Sequence, residues 1–269
     1  MTHINLHDRE QIERFLRQNP HLHLYEIGDL DDCFWPHTIW YGSQNEAGID
    51  AIALLYTGAA LPTLLALADG NGAMAALLRS IRHILPTRFY AHLSPGLENV
   101  LRETYDCEPG GEHSKMALTD TRAVAGSSCA QVERLGESDL AEIAALYAES
   151  YPGNWFDPRM LATNRYFGIR ESGRLVSIAG VHVYSPHYRV AALGNITTLP
   201  QCRGKGYGAL VTAELCRSLL AEGLNIGLNV KTDNAAAIAC YRKLGFQIVA
   251  SYNEFTFHTA EGGKKGSNS

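Results

Sequence analysis

Apolar and polar residues alternate along the second half of the chain with two different periods, and the changes of period mark out secondary-structure elements. The acidic residues near the start of 137–150 suit a helix N-terminus, and the turn Ser172-Gly173 joins two strands into a hairpin. Asp233 or Asn234 is the predicted N-cap of the last helix. In order, the pattern predicts a helix at 137–150, strands at 165–172, 173–185 and 189–199, a helix at 209–223, a strand at 225–231, a helix at 234–245 and a strand at 246–258.

The first half repeats this order of elements in weaker form. Its pattern predicts a helix at 8–18, strands at 37–42, 48–58 and 62–69, a helix at 72–85, a strand at 88–94, a helix at 96–105 and a strand at 113–119. The two halves therefore look like an internal duplication at a spacing of about 125 residues. The small and polar run 119–128 is the predicted join.

These patterns predict an α/β protein (α+β type) of two domains, each a mainly antiparallel mixed sheet flanked by helices. The strands form hairpin series before each long helix, which is why the sheets are expected to be antiparallel. The predicted boundaries place the first domain at 1–122, the second at 123–260 and a disordered tail at 261–269.

Composition and charge narrow the function classes. The chain has 269 residues, of which 46% are hydrophobic and 19% charged, as is typical of a globular protein with a buried core. A net charge of −5 argues against nucleic acid or an acidic membrane surface as the partner. The first residues lack the regions of a signal peptide, and no apolar run reaches the roughly 18 to 20 residues of a membrane span. We therefore expect a cytoplasmic protein without a nucleic-acid or membrane partner, and the pattern favours no particular oligomeric state.

The cysteines are scattered and indicate neither disulfides nor a metal. They are Cys33, Cys107, Cys129, Cys202, Cys216 and Cys240. No pair has CxxC spacing and no histidine lies at zinc-ligand spacing, so we predict reduced, mostly buried thiols and no metal site. Cys202 is singled out because the cationic loop around it could lower the pKa of its thiol.

The segment 201–208, QCRGKGYG, lies between a predicted strand and a predicted helix. The first amides of that helix have no intrahelical acceptor, and together with the helix dipole they favour an anion there. The glycines allow close backbone approach, while Arg203 and Lys205 add positive charge. A solvated, glycine-rich loop is the alternative. A P-loop is excluded because Gly206 follows Lys205, and a Rossmann loop is excluded because the preceding strands form hairpins.

This loop and a second segment about 30 residues downstream carry a resemblance to a known family. Arg203, Gly206 and Gly208 match the signature Gln/Arg-x-x-Gly-x-Gly/Ala, and NVKTDNAAAIACYRKLGF at 229–246 matches the family's C-terminal signature. The chain resembles the GNAT superfamily of acyl-CoA-dependent N-acyltransferases over about 129–258, and its layout is similar to the tandem and glycine-N-acyltransferase-like members. The resemblance implies two GNAT-like domains, acetyl-CoA or another acyl-CoA as cofactor, and a small-molecule or peptide amine as acceptor.

The resemblance also implies roles for residues of the two segments. The loop amides would bind the pyrophosphate, and the end of the preceding strand would pair with the pantetheine arm. Asn234 would hydrogen-bond that arm, and Tyr241 would protonate the departing thiolate as general acid, unless it simply packs on a helix face. The implied cofactor-binding residues are Ile196, Thr197, Thr198, Arg203, Gly204, Lys205, Gly206, Tyr207, Gly208, Asn234, Ala237 and Tyr241.

The base that takes the proton from the amine is less clearly indicated. Many family members have a glutamate on the strand before the loop, where this chain has asparagine and threonines. His182 is the leading catalytic candidate, and it alternates with Tyr184 onto one face of a central strand. Glu149 is a second candidate, and His187 lies just beyond the strand. A structural role is the alternative for each of them.

The segment 151–161, YPGNWFDPRML, lies where the resemblance implies the wall of the acceptor site. Arg159 would suit an acceptor carboxylate. A hydrophobic cap formed by Trp155 and Phe156, without ligand contact, is the alternative. The predicted acceptor-binding residues are Tyr151, Asn154, Trp155, Arg159, Tyr184 and Asn195.

The first half differs from the second at the place that matches the glycine loop. Its segment 68–78, ADGNGAMAALL, has Asp69 in place of the cations, and an acid there would repel a pyrophosphate. We therefore predict one cofactor site, in the second half, and a degenerate N-terminal copy. The aromatic run 33–42 either lines the acceptor cleft or packs on the sheet.

These inferences combine into an N-acyltransferase that works by direct attack in a ternary complex. A covalent acyl-enzyme is disfavoured, because no cysteine lies in a recognisable Cys-His-acid arrangement, although Cys202 and Cys240 lie close to the motifs. The main alternative is a non-catalytic acyl-CoA-binding or sensing module. A structural interaction protein with an empty site is the third hypothesis.

Overall fold

The chain folds into two compact units. The computed structural model describes residues 3–126 and 130–259. Within these ranges, unit 1 comprises 3–113 with 251–259, and unit 2 comprises 114–126 with 130–250. Each unit thus contains a strand segment from the other half of the sequence. A single boundary at 122, as predicted, does not describe this exchange of segments. Cys129 and the predicted tail 261–269 lie outside the described residues.

Unit 1 has a sheet in the order β1-β2-β3-β4-β5-β12-β6. Its elements are β1 (Ile4–Leu6), α1 (Arg9–Leu16), α2 (Leu24–Gly28), β2 (Thr38–Asn45), β3 (Gly48–Tyr56), β4 (Thr63–Ala66), α3 (Asn71–Ile81), β5 (Arg88–Leu93), α4 (Glu98–Leu101) and the unit-1 parts of β6 (Tyr105–Leu118) and β12 (Phe246–Thr259). Strands β1 to β4 pair antiparallel, and β4 pairs parallel with β5. Helix α3 packs on β2 and β3, and the apolar residues between them form one buried core.

Unit 2 has a sheet in the order β6-β11-β10-β9-β8-β7. Its elements are the unit-2 part of β6, then α5 (Arg122–Ala125), β7 (Val132–Leu135), α6 (Leu140–Ser150), β8 (Tyr166–Glu171), β9 (Arg174–Ser185), β10 (Val190–Thr198), α7 (Tyr207–Leu220), β11 (Asn225–Lys231), α8 (Ala235–Lys243) and the first residues of β12. Short 3-10 helices occupy Glu137–Asp139, Pro158–Thr163 and Pro200–Cys202. Strands β7 to β10 pair antiparallel, and β10 pairs parallel with β11.

Helices α6 and α7 cover opposite faces of the unit-2 sheet. Arg165 and Tyr166 are chain neighbours at the start of β8, and their side chains leave the backbone in opposite directions. Arg165 donates to the Ser218 hydroxyl of α7 at 2.9 Å, whereas the Tyr166 ring lies 5.7 Å from that of Phe156, which also contacts Tyr147 of α6. Apolar residues of both helices and of the strands form one buried cluster.

The predicted fold class is confirmed, as a mixed α/β structure with mainly antiparallel sheets flanked by helices. The predicted hairpin turn is present at Ser172-Gly173, where both residues have positive φ. Strand β6 begins at Tyr105, eight residues earlier than predicted. The predicted start was too late because Pro109-Gly110-Gly111 has the composition of a turn. A Cβ at Gly110 would lie 3.0 Å from that of Glu254, so this glycine allows β6 and β12 to approach closely within unit 1. Helices α2 and α5 are too short for periodicity to reveal.

Within the described ranges, the helices are all too short or too polar to cross a membrane.

Candidate active site

The two parallel strands of unit 2 separate halfway along their length. Residues Val190 to Leu193 of β10 pair with Asn225 to Leu228 of β11. No further pairing between the two strands follows in the part of the chain that the structure describes, although β10 continues to Thr198 and β11 to Lys231. The separation leaves backbone N–H and C=O groups of both strands available to a third, extended partner.

A β-bulge in β10 lies beside this separation. Gly194 pairs with Gly180 and Thr197 with Ile178, so two residues of β10 stand opposite one of β9. Asn195 is in the left-handed region, with φ of 54°. The Tyr147 hydroxyl of α6 donates to the Asn195 carbonyl at 2.8 Å, and this buried hydrogen bond holds the bulge in place. The bulge therefore turns the end of β10 out of register with β11.

The glycine loop joins β10 to α7 and is open on its outer side. Gly204 and Gly206 have φ of 79° and 85°, and a Cβ on either would meet no atom within 4 Å. Gly206 is the N-cap of α7, and no side-chain capping bond satisfies the first amides of the helix there. Arg203 folds back, and its Nε donates to the Thr198 carbonyl at 3.2 Å. The local geometry is therefore that of an anion cradle.

An acidic residue adjoins this loop. Glu171, the last residue of β8, accepts from the Lys205 ammonium at 2.8 and 3.0 Å and from the Tyr207 hydroxyl at 3.2 Å. The hydrogen bond from Lys205 is the largest cause that lowers the pKa of Glu171, so the carboxylate is ionised at neutral pH. Lys205 is thus already paired when no anion is present.

The prediction that the loop lowers the pKa of the Cys202 thiol is wrong. Cys202 is buried, and burial together with the adjacent Glu171 carboxylate raises the pKa of its thiol. The positive charges of Lys205 and Arg174 oppose this shift but do not reverse it. A thiol of this kind is a poor nucleophile.

Three of the predicted cofactor residues, two at the end of β10 and one at the start of α8, form hydrogen bonds within the protein. Thr198 shares a hydrogen bond of 2.8 Å with the Ser177 hydroxyl, and Thr197 donates to the Ser150 hydroxyl at 3.1 Å. Asn234 is the N-cap of α8, and its side-chain oxygen accepts from the Ala237 amide at 3.1 Å. Asn234 thereby keeps its amide NH₂ as a donor. Ile196 lies on the bulge, partly buried against the core.

Tyr241 lies on α8 and is largely buried, with its ring centroid 5.9 Å from that of Phe246. Burial is the main cause that raises the pKa of its hydroxyl well above the ordinary value, with Cys240 and Tyr151 as charge neighbours that add to it. The hydroxyl therefore carries its proton throughout the physiological pH range. No hydrogen-bond partner for it is present among the described residues.

His182 lies on the α6 face of the sheet, next to the bulge. A Cβ at Gly194 would lie 2.3 Å from His182 Cδ2, so the glycine makes room for the ring. The Trp155 ring meets His182 edge to face at 6.2 Å between centroids. Burial lowers the pKa of His182 below 6.5, and the adjacent Asn195 side chain partly opposes this shift. In the described part of the chain, Nε2 of His182 is buried without a hydrogen-bond partner.

The expectation that His182 and Tyr184 share one face of β9 is wrong. Ala192 pairs with Val183 and Leu193 with Val181, so His182 is the extra residue of a bulge in β9. A bulge resets the alternation of side chains. The Tyr184 hydroxyl consequently lies on the α7 side of the sheet, where it donates to Glu222, just beyond the C-terminal end of α7, at 2.6 Å. The structure thus brings Asn195 and Trp155 to His182, but not Tyr184.

The segment 151–161 contributes exposed aromatic rings and one unpaired amide. Trp155 is 57% exposed and Tyr151 is 44% exposed, whereas Phe156 packs on the Tyr166 ring. The Nδ2 group of Asn154 is buried and lacks a hydrogen-bond partner in the described ranges. Arg159 is directed to Asp157, which it contacts through its backbone and its guanidinium group.

Glu149 is engaged in an ion pair with Arg174 and accepts from Gln201 at 3.1 Å. These contacts lower the pKa of Glu149, the bond from Gln201 being the largest cause. A carboxylate stabilised in this way is a weak base, and the geometry favours a structural role for it. His187 packs edge to face on Tyr188 at the far end of β9.

Unit 1 lacks the strand separation seen in unit 2. All four residues of β4 pair with β5, up to Ala66 opposite Leu93. Ser94 continues the pairing, because its amide donates to the Ala66 carbonyl at 3.1 Å and its hydroxyl accepts from the Ala68 amide at 2.9 Å. Asp69, which the sequence marked as unfavourable for phosphate, accepts from Asn19. The strand pair of unit 1 is therefore closed where that of unit 2 is open.

Sequence reasoning missed Asn229 of β11. It directly follows Leu228, the last residue paired with β10, and its Oδ1 atom is buried without a hydrogen-bond partner in the ranges described. The signal was available, since a polar residue interrupts an otherwise apolar strand at the point of separation. Two tyrosines contact Asn195 of the bulge, since Tyr147 donates to its carbonyl and the Tyr166 hydroxyl accepts from its side-chain amide at 3.0 Å. The sequence gave no signal for either, because buried tyrosines are common core residues.

The separated parallel strands, the glycine loop and the N-terminus of α7, which lacks a side-chain cap, all lie in unit 2. The acetyltransferase (GNAT) family model matches residues 132–246, which include all of these features. The chain is 35% identical over 128 residues to the N-alpha-acetyltransferase RimI of Mycobacterium tuberculosis, a match that covers 43% of this chain and 77% of that protein. This chain belongs to the GNAT acetyltransferase family.

One further relative and one solved structure of similar fold extend the comparison. The mycothiol acetyltransferase of Paenarthrobacter aurescens is 32% identical over 117 residues, which cover 41% of this chain but only 33% of that protein. A tandem GNAT protein from the clavulanic acid biosynthesis pathway has a similar fold, with a TM-score of 0.54 at 16% identity. Its match covers 94% of this chain and 97% of that one, so both units have counterparts in a protein of that architecture.

Proposed function

We propose that this protein is an N-acetyltransferase that transfers the acetyl group of acetyl-CoA, or the acyl group of a related thioester, to an amine by direct attack. The observation that carries the proposal is the open anion cradle at the start of α7, placed beside two strands that separate. Family membership supports acetyl transfer as the chemistry. The acceptor would be a small molecule or a peptide amine.

The residues of unit 2 fit coenzyme A at both of its polar parts. The pyrophosphate would accept hydrogen bonds from the amides of the glycine loop, where Gly204 and Gly206 leave open space. The pantetheine amides would pair with the end of β10, and the unpaired Oδ1 of Asn229 supports an amide donor in the cleft. Unit 1, with its strands closed by Ser94, would bind no cofactor.

Acetyl-CoA would supply an activated thioester, and the side chains of this chain would move the protons. Tyr241 would donate its proton to the departing sulfur, because burial keeps the hydroxyl protonated. A thiolate that leaves beside this buried hydroxyl would also be poorly solvated, which raises the pKa of its thiol. The difference between the pKa of the thiol and that of the Tyr241 hydroxyl would therefore become smaller. The amine proton would leave to a base, and the new amide bond would replace the thioester bond.

His182 is our proposed base, since it is neutral and Nε2 lacks a partner. A pKa lowered below 6.5 keeps the imidazole neutral at pH 7, so activity should persist down to that lowered pKa and fall below it as the ring protonates. His182→Gln should remove this acid-side inflection of kcat and reduce kcat by about 10²- to 10⁴-fold. The measurement is a pH–rate profile with two acceptors of different amine pKa. An inflection that moves with the acceptor, or survives in the variant, would rule His182 out.

The proposal as a whole is tested by binding and by turnover. Acetyl-CoA at about 100 times its dissociation constant should raise the free energy of unfolding by about 2.7 kcal/mol, whereas pantetheine without the pyrophosphate should have little effect. Release of free thiol across a panel of amines and amino acids should then occur with some acceptors only. No stabilisation by any acyl-CoA would eliminate both the enzyme and the sensor.

A non-catalytic acyl-CoA sensor remains the second candidate, because a carboxylate base is lacking at the bulge, where Asn195 stands. Stabilisation by acetyl-CoA without thiol release from any acceptor would favour the sensor.

A further inference from the structure

Glu171 is held rigidly beside the glycine loop. It pairs with Arg174 across the two-residue turn at Ser172-Gly173, so the strand pairing of β8 and β9 fixes its backbone. Its carboxylate accepts from Lys205 and from the Tyr207 hydroxyl, which lies in the first turn of α7. The backbone of Glu171 is therefore fixed by strand pairing, and its carboxylate lies beside the start of the helix.

This arrangement affects an arriving anion in two ways. The carboxylate repels negative charge near the loop, and it engages the ammonium of Lys205, which could otherwise contact a phosphate. The side chains of Glu171 and Lys205 are 41% and 46% exposed, so the pair can open at small cost. Lys205 can thus serve either the carboxylate or a phosphate.

We propose that Glu171 limits the affinity for coenzyme A by competing with its phosphates for Lys205. The inference rests on the proposed function, because it assumes that unit 2 binds coenzyme A. Weaker binding would favour release of the spent cofactor after each turnover. The competition predicts that the effects of changing Glu171 and Lys205 depend on one another.

The test is a double-mutant cycle on the full chain, with coenzyme A itself as the probe and isothermal titration calorimetry as the readout. At about 0.02 M salt, Glu171→Gln should tighten binding by about two- to fivefold, and the gain should shrink at about 0.5 M salt. Lys205→Met should weaken binding about threefold or more in the Glu171→Gln background, and less than that when Glu171 is present, because the carboxylate then shares the ammonium with the phosphate.

The matched control is Glu222→Gln near the other end of α7. Glu222 also pairs with a cation and a tyrosine hydroxyl, Arg165 and Tyr184, so this variant removes the same charge away from the loop. It should leave the dissociation constant unchanged, and circular dichroism should show all variants folded.

The possible outcomes distinguish a failure of this inference from a failure of the proposed function. Weaker binding by Glu171→Gln, or effects of the two changes that simply add, would overturn the inference while leaving the proposed function intact. Equal tightening by Glu222→Gln would also overturn it, because the effect would then come from net charge. A wild-type chain that does not bind coenzyme A would remove the proposed function and this inference together.

Discussion

Replacing Gly206 by glutamate is expected to weaken coenzyme A binding by at least about 100-fold, with the protein still folded. Gly206 has φ of 85°, which disfavours any other residue, but a Cβ there meets no atom within 4 Å, so the free protein can accommodate a side chain. The added carboxylate would stand at the N-terminus of α7, where the pyrophosphate is proposed to bind. Calorimetric titration with coenzyme A measures the loss.

Two matched variants separate the effect of the added charge on binding from the effects of backbone strain and of a glutamate placed elsewhere in the chain. Gly206→Ala introduces the strain without the charge, and we expect an intermediate loss of affinity. Gly70→Glu places the same carboxylate at the N-cap of α3 in unit 1, where a Cβ is also free of contacts, and should leave binding unchanged. Wild-type affinity in a folded Gly206→Glu protein would refute the assignment of the loop.

Replacing Tyr241 by phenylalanine is expected to reduce kcat by about 10²-fold or more, while the dissociation constant of coenzyme A changes by less than about twofold. The hydroxyl has no hydrogen-bond partner among the described residues, so its removal leaves no buried group unsatisfied, and the ring keeps its contact with Phe246. Single-turnover rates and calorimetric titration provide the two measurements.

Tyr147→Phe is the contrasting control for this prediction. Its hydroxyl donates to the Asn195 carbonyl at 2.8 Å, so this variant should lower the free energy of unfolding by about 1 to 2 kcal/mol in chemical denaturation. Tyr241→Phe should leave that free energy nearly unchanged. An unaltered kcat in Tyr241→Phe would exclude the hydroxyl as the proton donor and leave the ring a packing role only.

The order of helices and strands was predictable because each element carries its own period. Helices α6, α7 and α8, and the hairpin at Ser172-Gly173, all lie where local spacing and turn residues place them. Strand β6 was predicted too short because Gly110 reads as a turn, although it serves a close approach to Glu254. Prediction from local sequence patterns was therefore reliable wherever a residue's neighbours in the sequence are also its neighbours in space.

The candidate site was only partly predictable from sequence. The composition of the glycine loop indicates its position in the sequence. The pairing of Lys205 with Glu171, however, joins residues 34 positions apart and could not be predicted from the loop. Burial, together with the carboxylate of Glu171, explains why the expected low pKa of the Cys202 thiol is wrong. The bulge at His182 changes the face of Tyr184, because one inserted residue resets a period of two.

By itself, the sequence determined the fold class, the family resemblance and the position of the glycine loop, because these depend on local periodicity and on contiguous motifs. Only the tertiary structure decided that β10 and β11 separate after Leu193, whereas Ser94 closes the matching strands of unit 1. It also decided which polar groups stay unpaired, as at His182 and Asn229. Both outcomes depend on hydrogen bonds between residues distant in the chain, and such bonds leave no period in the sequence.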